Sequence, residues 1–333
     1  MKLLVHAPNW VGDAVLSLPA LSSLAFGLPG KKIWVAARPW ALEVFAGEDF
    51  IAGSISLPET LSARSLRRTA DDIRKHKFDT GLMLTNSFGS ALLFALAGIP
   101  ARWGYARNGR RAFLTRSVPF PSPVLRRHQL EFYRELIAHL GFPLQAPHLH
   151  MTVFPEEKKR AKEILSRRGI NLEKPVVVLN PGAYYGPAKR WPSEYYARLS
   201  ELLNQDKAQI VVTGSDAERP LAEAIREKMT RPPFIFTGET DIRLLAGILS
   251  LADLCVTNDS GPMHMANALK TPVIGLFGPT NPEVTRPFQP PSSFVQKKPV
   301  CWPCSYRECP FDHRCMKAVT PEEVFHLCRE YLR

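Results

Sequence analysis

No stretch of this sequence approaches the roughly 18 to 20 consecutive apolar residues that a membrane-spanning helix needs. The nearest run, ALLFALAGIP at 91–100, is half as long. The start of the chain also lacks the basic, apolar and small-residue order of a secretory signal, because Pro8, Asn9 and Asp13 interrupt it. A cytoplasmic address is therefore expected. Short-period repeats and low-complexity tracts are missing, and so is the GxGxxG fingerprint of dinucleotide sites. Acidic residues are scarce relative to basic ones, 31 against 43, for a net charge of +12. The imbalance is local: residues 61–127 hold 13 Lys+Arg against 3 Asp+Glu. Such a block suits nucleic acid, an anionic lipid surface or a phosphorylated substrate; an ordinary solvated basic face is the plain alternative.

What is present fits a soluble globular chain, with 45% hydrophobic and 22% charged residues. A length of 333 residues suits two domains. The first half alternates apolar strands (KLLVHAP, KIWVAAR, SISLP, FDTGLMLT) with helical patterns near 14–26, 39–46, 62–76 and 87–97. The stretch 102–128 reads as basic loop or short strands, followed by a helix over 128–140. GFPLQAPHLHMTVFP, 141–155, is the linker candidate. Beyond it the alternation restarts with PVVVLNPG, QIVVTG, FIFTG, DLCVTND and PVIGLFGP as strands. Alternation of this kind predicts parallel sheets covered on both faces. The expectation is an α/β chain of two doubly wound, Rossmann-like domains, 1–150 and 151–333, with ligands at the carboxyl ends of the strands in a cleft between them.

The strand-to-helix turns carry the candidate chemistry. In NWVGD, Gly12 relaxes the backbone, and Asp13 can cap the helix or take a proton from a hydroxyl. NPGAYYGPAKRWP places Lys189 over a helix start, where it can meet a phosphate or simply sit on the surface. Its Tyr184 and Tyr185 can stack on a ligand or cover the loop. In TGSDAERP, Ser215, Asp216 and Glu218 favour the helix dipole or bind ribose hydroxyls. The sharpest turn is VTNDSGPMHMANALK. Pro262 fits the first helical turn, and Asp259, Ser260, Gly261 and His264 together with free backbone N–H groups can hold a diphosphate. A well-capped core helix is the alternative. The turn in VIGLFGPTNPEVTRPF is less specific.

NWVGDAVLSLPAL, NPGAYYGPAKRWPSEYYARL, TGSDAERP and NDSGPMHMANALKTPVIGLFGPTNP, in this order, resemble the signature blocks of glycosyltransferase family 9, the bacterial heptosyltransferases. The resemblance spans residues 9 to about 282. It implies the GT-B fold, with an acceptor-binding N-terminal domain and a donor-binding C-terminal domain. It implies inverting transfer of L-glycero-D-manno-heptose from ADP-heptose to the first heptose of the lipopolysaccharide inner core, carried through Kdo on lipid A. Asp13 is then the general base and Lys189 steadies the donor phosphates. Tyr184, Tyr185, Ser215, Glu218, Asp259, Ser260, Gly261 and His264 face the donor; Glu218 is the choice for its ribose. Tyr184 and Tyr185 depart from the hydroxyl residues of some relatives. Gly12, Arg64, Arg67, Arg68, Arg107, Arg110 and Arg111 face the acceptor, a phosphorylated glycolipid on the anionic inner face of the membrane. No DxD-type acidic pair marks a donor turn, so no metal cofactor is expected in the transfer. A monomer is expected.

Four of the six cysteines crowd into CWPCSYRECPFDHRC, as Cys301, Cys304, Cys309 and Cys315. Four thiolates suit a structural zinc or an iron–sulfur cluster. Their spacings of two, four and five residues are no standard finger, so reduced thiols or an opportunistic disulfide stand beside it. Cys255 and Cys328 read as buried. Three other functions remain open: a family member with another acceptor, a nucleotide-binding protein in which Asp13 is only a cap, and a nucleic-acid binder. The last would bind with steep salt dependence; no nucleic-acid motif accompanies the basic block, so no such partner is expected.

Overall fold

A computed structural model describes residues 1–30, 32–60, 62–121 and 127–332. Residues 122–126 of the basic stretch, with Arg126, lie outside the described residues. The chain divides into two units, Met1–Met151 and Thr152–Arg333.

The first unit runs β1 (Lys2–His6), α1 (Val11–Phe26), β2 (Lys32–Ala37), α2 (Pro39–Phe45), β3 (Ile51–Ser56), α3 (Ala63–Lys75), β4 (Thr80–Met83), α4 (Phe88–Leu96), β5 (Ala101–Ala106), β6 (Arg116–Pro119) and α5 (Gln129–His139). Its sheet has the order β3-β2-β1-β4-β5-β6, and every pairing is parallel. Central β4 is buried at all four residues, because helices cover both faces of a parallel sheet. Edge strand β3 instead alternates half-buried and exposed. Gly81 lets α4 lie directly on β4: a Cβ there would stand 2.4 Å from the Phe94 ring. Ser62 and Ser87 begin α3 and α4 by accepting a hydrogen bond from the backbone N–H three residues on. The basic stretch is more regular than its sequence suggests, because β5 and β6 extend the sheet.

The second unit runs α6 (Pro155–Arg167), β7 (Val176–Asn180), α7 (Ser193–Gln205), β8 (Gln209–Val212), α8 (Arg219–Arg226), β9 (Phe234–Ile235), α9 (Ile242–Leu249), β10 (Leu254–Asn258), α10 (Gly261–Ala268), β11 (Val273–Phe277), α11 (Pro282–Thr285), β12 (Ser292–Gln296), α12 (Arg314–Lys317) and α13 (Pro321–Tyr331). Its parallel sheet has the order β12-β11-β10-β7-β8-β9. Strands β7, β10 and β11 are buried along their whole length. Val177, Leu179, Val256 and Ile274 pack with Tyr196 and Leu199 of α7 and Val324 of α13 in one core. Edge strand β12 is short and half polar, and so escapes a periodicity reading.

Both sheets share one logic. The chain leaves a central strand, winds outward to one edge, then returns to the other side of that strand. The crossovers therefore diverge at β1/β4 in one unit and at β7/β10 in the other. Loops leaving the carboxyl ends of these strands open onto a crevice where ligands of such folds bind. No described helix is long and apolar enough to cross a membrane.

Candidate functional site

In the second unit the switch point gathers two turns far apart in sequence. Lys189 lies in a short helical turn, Pro187–Lys189, after β7. Asp259 follows β10 directly and is 5% exposed. Lys189 Nζ donates to Asp259 Oδ2 at 2.5 Å and to its backbone carbonyl at 3.3 Å. Thr280 Oγ1 donates to the same Oδ2 at 2.8 Å. An ammonium has three donors, so one remains after these two bonds. The Tyr185 ring lies 4.8 Å below the cation. Asp259 is expected to face the donor, and its carboxylate holds Lys189, the residue expected at the donor phosphates.

Beside the pair, α10 begins at Gly261. Ser260 is its N-cap but makes no side-chain cap bond. Its hydroxyl pairs with Thr257 Oγ1 at 3.1 Å. The start of α10 thus keeps the positive end of its dipole for an anion. His264, one turn on, is buried.

Two asparagines that end apolar strands hold these turns. Asn258 is fully buried. Its Nδ2 donates to the Pro181 and Gly182 carbonyls at 2.8 and 3.2 Å. Its Oδ1 accepts from the Trp191 backbone N–H at 3.1 Å and the Tyr196 hydroxyl at 3.2 Å. Asn180 Nδ2 donates to the Thr213 carbonyl at 3.1 Å. An amide side chain at the end of a mostly apolar, fully buried strand was the available signal for both.

Glu218 Oε2 accepts from the backbone N–H and hydroxyl of Ser215 at 2.8 and 2.9 Å, a capping box. Its Oε1 lies against Gly182, where a Cβ would approach to 2.0 Å. Half of this carboxylate is therefore spent on the turn, and glycine is what admits it. Tyr184 is 79% exposed. The Tyr185 hydroxyl, expected at the donor, donates to the Ser305 carbonyl at 2.6 Å.

That bond shows what the cysteine-rich segment does. Its Arg307 carbonyl accepts from the Ala188 N–H at 3.0 Å, and His313 Nε2 donates to the Ala188 carbonyl at 2.7 Å. Trp302 Nε1 donates to the Thr280 carbonyl at 3.1 Å. The segment thus braces the loops that bear Lys189 and Thr280. Its four cysteines are free thiols. Burial raises the Cys315 thiol above its ordinary range, and the neighbouring Cys309, Cys304 and Cys301 add to this. The sulfurs are gathered, yet among the described residues no group of three or more His, Cys, Asp or Glu is arranged to hold a metal ion. The cysteines stand as the reduced thiols that the sequence also allowed, and the segment is tied to the two loops by the bonds above.

In the first unit, Gly12 and Asp13 lie within the first turn of α1, not before it. Trp10 occupies the N-cap, and Asp13 stands two residues after the first helical residue, where its charge favours the helix dipole. Burial, and after it the charge of the nearby Asp13 carboxylate, pushes the ionisation of Tyr133 of α5 well above its ordinary range; the sequence offered no means to bring these two residues together. Arg64, Arg67 and Arg68 are exposed along α3, and Arg107 and Arg111 are exposed after β5. Arg107 stacks on the Phe120 ring at 3.9 Å.

Arg110 contradicts its expected role. It is 0% exposed. Its guanidinium donates to the carbonyl of Tyr105 at 2.8 Å, to Asn86 Oδ1 at 3.0 Å and to the carbonyl of Thr85. Burial pulls its pKa down to about 10. Its side chain ties β5 to the loop after β4 and cannot reach a phosphate at the surface.

Against known proteins, the family model described as Glycosyltransferase family 9 (heptosyltransferase) matches residues 66–314. The lipooligosaccharide heptosyltransferase 2 of Haemophilus influenzae is 29% identical, over 89% of this chain and 88% of its own. The lipopolysaccharide heptosyltransferase 2 of Escherichia coli K12 is 30% identical, over 86% of this chain and 85% of its own. Among solved structures, E. coli ADP-heptose lps heptosyltransferase II superposes with a TM-score of 0.86 at 26% identity, covering 100% of this chain and 98% of that one.

Proposed function

Since the chain belongs to glycosyltransferase family 9, the heptosyltransferases, and has their GT-B fold, we propose that it moves L-glycero-D-manno-heptose from ADP-heptose onto the first heptose of the lipopolysaccharide inner core. The second unit holds the donor. The Lys189–Asp259 pair at the start of α10, on the switch point of its sheet, carries this reading. Lys189 and the N-terminus of α10 offset the charge that grows on the ADP as it leaves. Ser260, Gly261 and His264 line the same turn, and Glu218 with Ser215 forms the neighbouring one, where the ribose belongs.

The first unit supplies the base. Asp13 accepts the proton of the acceptor hydroxyl while that oxygen attacks the anomeric carbon. The bond from that carbon to the β-phosphate oxygen breaks, and ADP departs with the electron pair, inverting the centre. Arg64, Arg67, Arg68, Arg107 and Arg111 offer exposed charge to a phosphorylated glycolipid on an anionic membrane face. Transfer is expected to persist in EDTA, because Lys189 and the helix terminus supply the positive field at the diphosphate.

Calorimetric titration with ADP-heptose tests the donor site. The parent protein should bind, and Lys189→Ala should bind about 10- to 100-fold more weakly, the equivalent of about 1.5–3 kcal/mol for a charge-assisted hydrogen bond. Equal binding by both would remove Lys189 from the phosphates. No binding by the parent would overturn the donor assignment.

A further inference from the structure

The cysteine-rich segment brings a charge to the Lys189 loop as well as a brace. Arg307 lies between Cys304 and Cys309. Its backbone is tied to the loop, since its carbonyl accepts from the Ala188 N–H at 3.0 Å. Its side chain turns to the Tyr185 ring, with the guanidinium carbon 5.4 Å from the ring centroid. Lys189 Nζ lies 4.8 Å from the same centroid. The ring attracts both cations through its electron-rich faces. It is fixed in turn, because the Tyr185 hydroxyl donates to the Ser305 carbonyl at 2.6 Å.

Two cations against one ring stand no more than about 10 Å apart, a Debye length at moderate ionic strength. The field of each therefore reaches whatever the other binds. Lys189 is matched by the Asp259 carboxylate at 2.5 Å. Arg307 is exposed, and among the described residues its guanidinium has no hydrogen bond or ion pair. Asp312, on the same segment, is taken by Arg314 at 2.8 Å. The ring thus carries two cations and one matching carboxylate. An anion with several oxygens completes such a set. The guanidinium is a planar fork that can take two oxygens of one phosphate, whereas the ammonium acts as a point charge. A diphosphate, with a hydrogen bond of about 2.8 Å at each end, can bridge the two.

We propose that Arg307 binds the diphosphate of the nucleotide-sugar donor together with Lys189, so that the cysteine-rich segment supplies part of the donor site. The proposal rests on the reading of the second unit as the one that holds the donor. It gives the segment a task carried by its arginine rather than by its thiols. Arg307 meets ADP as it meets ADP-heptose, because both carry the diphosphate.

The test titrates the full-length parent, Arg307→Met, Arg307→Lys and Lys189→Ala with ADP-heptose and with ADP by calorimetry. Adenosine binding is followed by ligand-observed NMR, and the thermal midpoint is recorded for each protein. Arg307→Met keeps an unbranched stem over the ring and removes the charge. It should weaken ADP-heptose and ADP alike by about 5- to 30-fold, the loss of a charge-assisted hydrogen bond near the surface. Adenosine has no phosphate and should bind as it does to the parent. The thermal midpoint should hold within about 2 °C, as for other exposed positions. Arg307→Lys should fall between Arg307→Met and the parent, because it keeps the charge without the fork. Parental affinity for ADP-heptose and ADP in Arg307→Met, beside a weakened Lys189→Ala, would overturn the proposal and leave the donor reading standing. An equal loss for ADP and adenosine would also overturn it, since Arg307 would then only support the loop. No binding of ADP-heptose by the parent would overturn the donor reading, and the proposal with it.

Discussion

Asn258→Ala should cost the second unit far more than the loss of a small side chain. The amide of Asn258 is saturated: two bonds to the Pro181 and Gly182 carbonyls, two from Trp191 and Tyr196. Truncation leaves two carbonyls, an N–H and a hydroxyl without this partner. Tyr196 keeps a weak alternative in the Asn180 carbonyl at 3.4 Å. A buried polar group stripped of its partner costs about 1–3 kcal/mol, and a water entering the space restores part of this. The net loss works out at about 3–5 kcal/mol, a large share of the roughly 5–15 kcal/mol that holds a domain together. At about 2–4 °C per kcal/mol for a unit of this size, the thermal midpoint should fall by about 10 °C. The same bonds fix the loop between Gly182 and Trp191, so ADP-heptose should bind more weakly even well below that midpoint. Scanning calorimetry of the full-length protein, with donor titration at low temperature, reads both. A loss under about 1 kcal/mol together with parental donor affinity would refute the reasoning.

The two kinds of arginine should part company. Arg110→Met should destabilise the first unit by at least about 2 kcal/mol, because three buried acceptors lose a charged donor; urea denaturation measures this. Charge reversal at Arg64, Arg67 and Arg68 should leave stability within about 0.5 kcal/mol per site and weaken sedimentation with anionic vesicles. Unchanged vesicle binding would sink the membrane role. His6 gives a pH dependence. Burial takes its pKa down to about 4, against an ordinary value near 6.5. Between these values the unfolded chain binds the proton and the folded one does not. The contribution is therefore full above about pH 6.5 and is lost as pH falls towards 4, amounting to about 3 kcal/mol. Denaturation curves across this window should show the drop in the parent. A His6→Leu variant should show it diminished, and an equal drop there would assign it to other groups.

Much of the candidate site was legible because it stands on strand-to-helix turns. Lys189 and Asp259 could each be picked out from its own turn, but their mutual bond is a consequence of β7 lying beside β10. Local sequence does not carry that adjacency. Arg110 was misread for a related reason. Inside a basic block it looks like its neighbours, and only the packing of β5 against the loop after β4 buries it. Tyr133 lay beyond reach, since α5 closes the first unit at the far end from Asp13 and reads as an ordinary core tyrosine. Asn180 and Asn258 carried a usable signal, each a polar residue ending a fully buried strand. The cysteines drew attention for their number, whereas the backbone of their segment, through Ser305 and Arg307, makes the contact with the Lys189 loop.

The most direct test is transfer of heptose from ADP-heptose to a mono-heptosylated, Kdo-bearing lipid A acceptor, with Asp13→Asn beside the parent. The account predicts turnover by the parent, and a loss of at least about 100-fold in the variant with ADP-heptose still bound. Absence of transfer by a parent that binds ADP-heptose, or full turnover by Asp13→Asn, would contradict it.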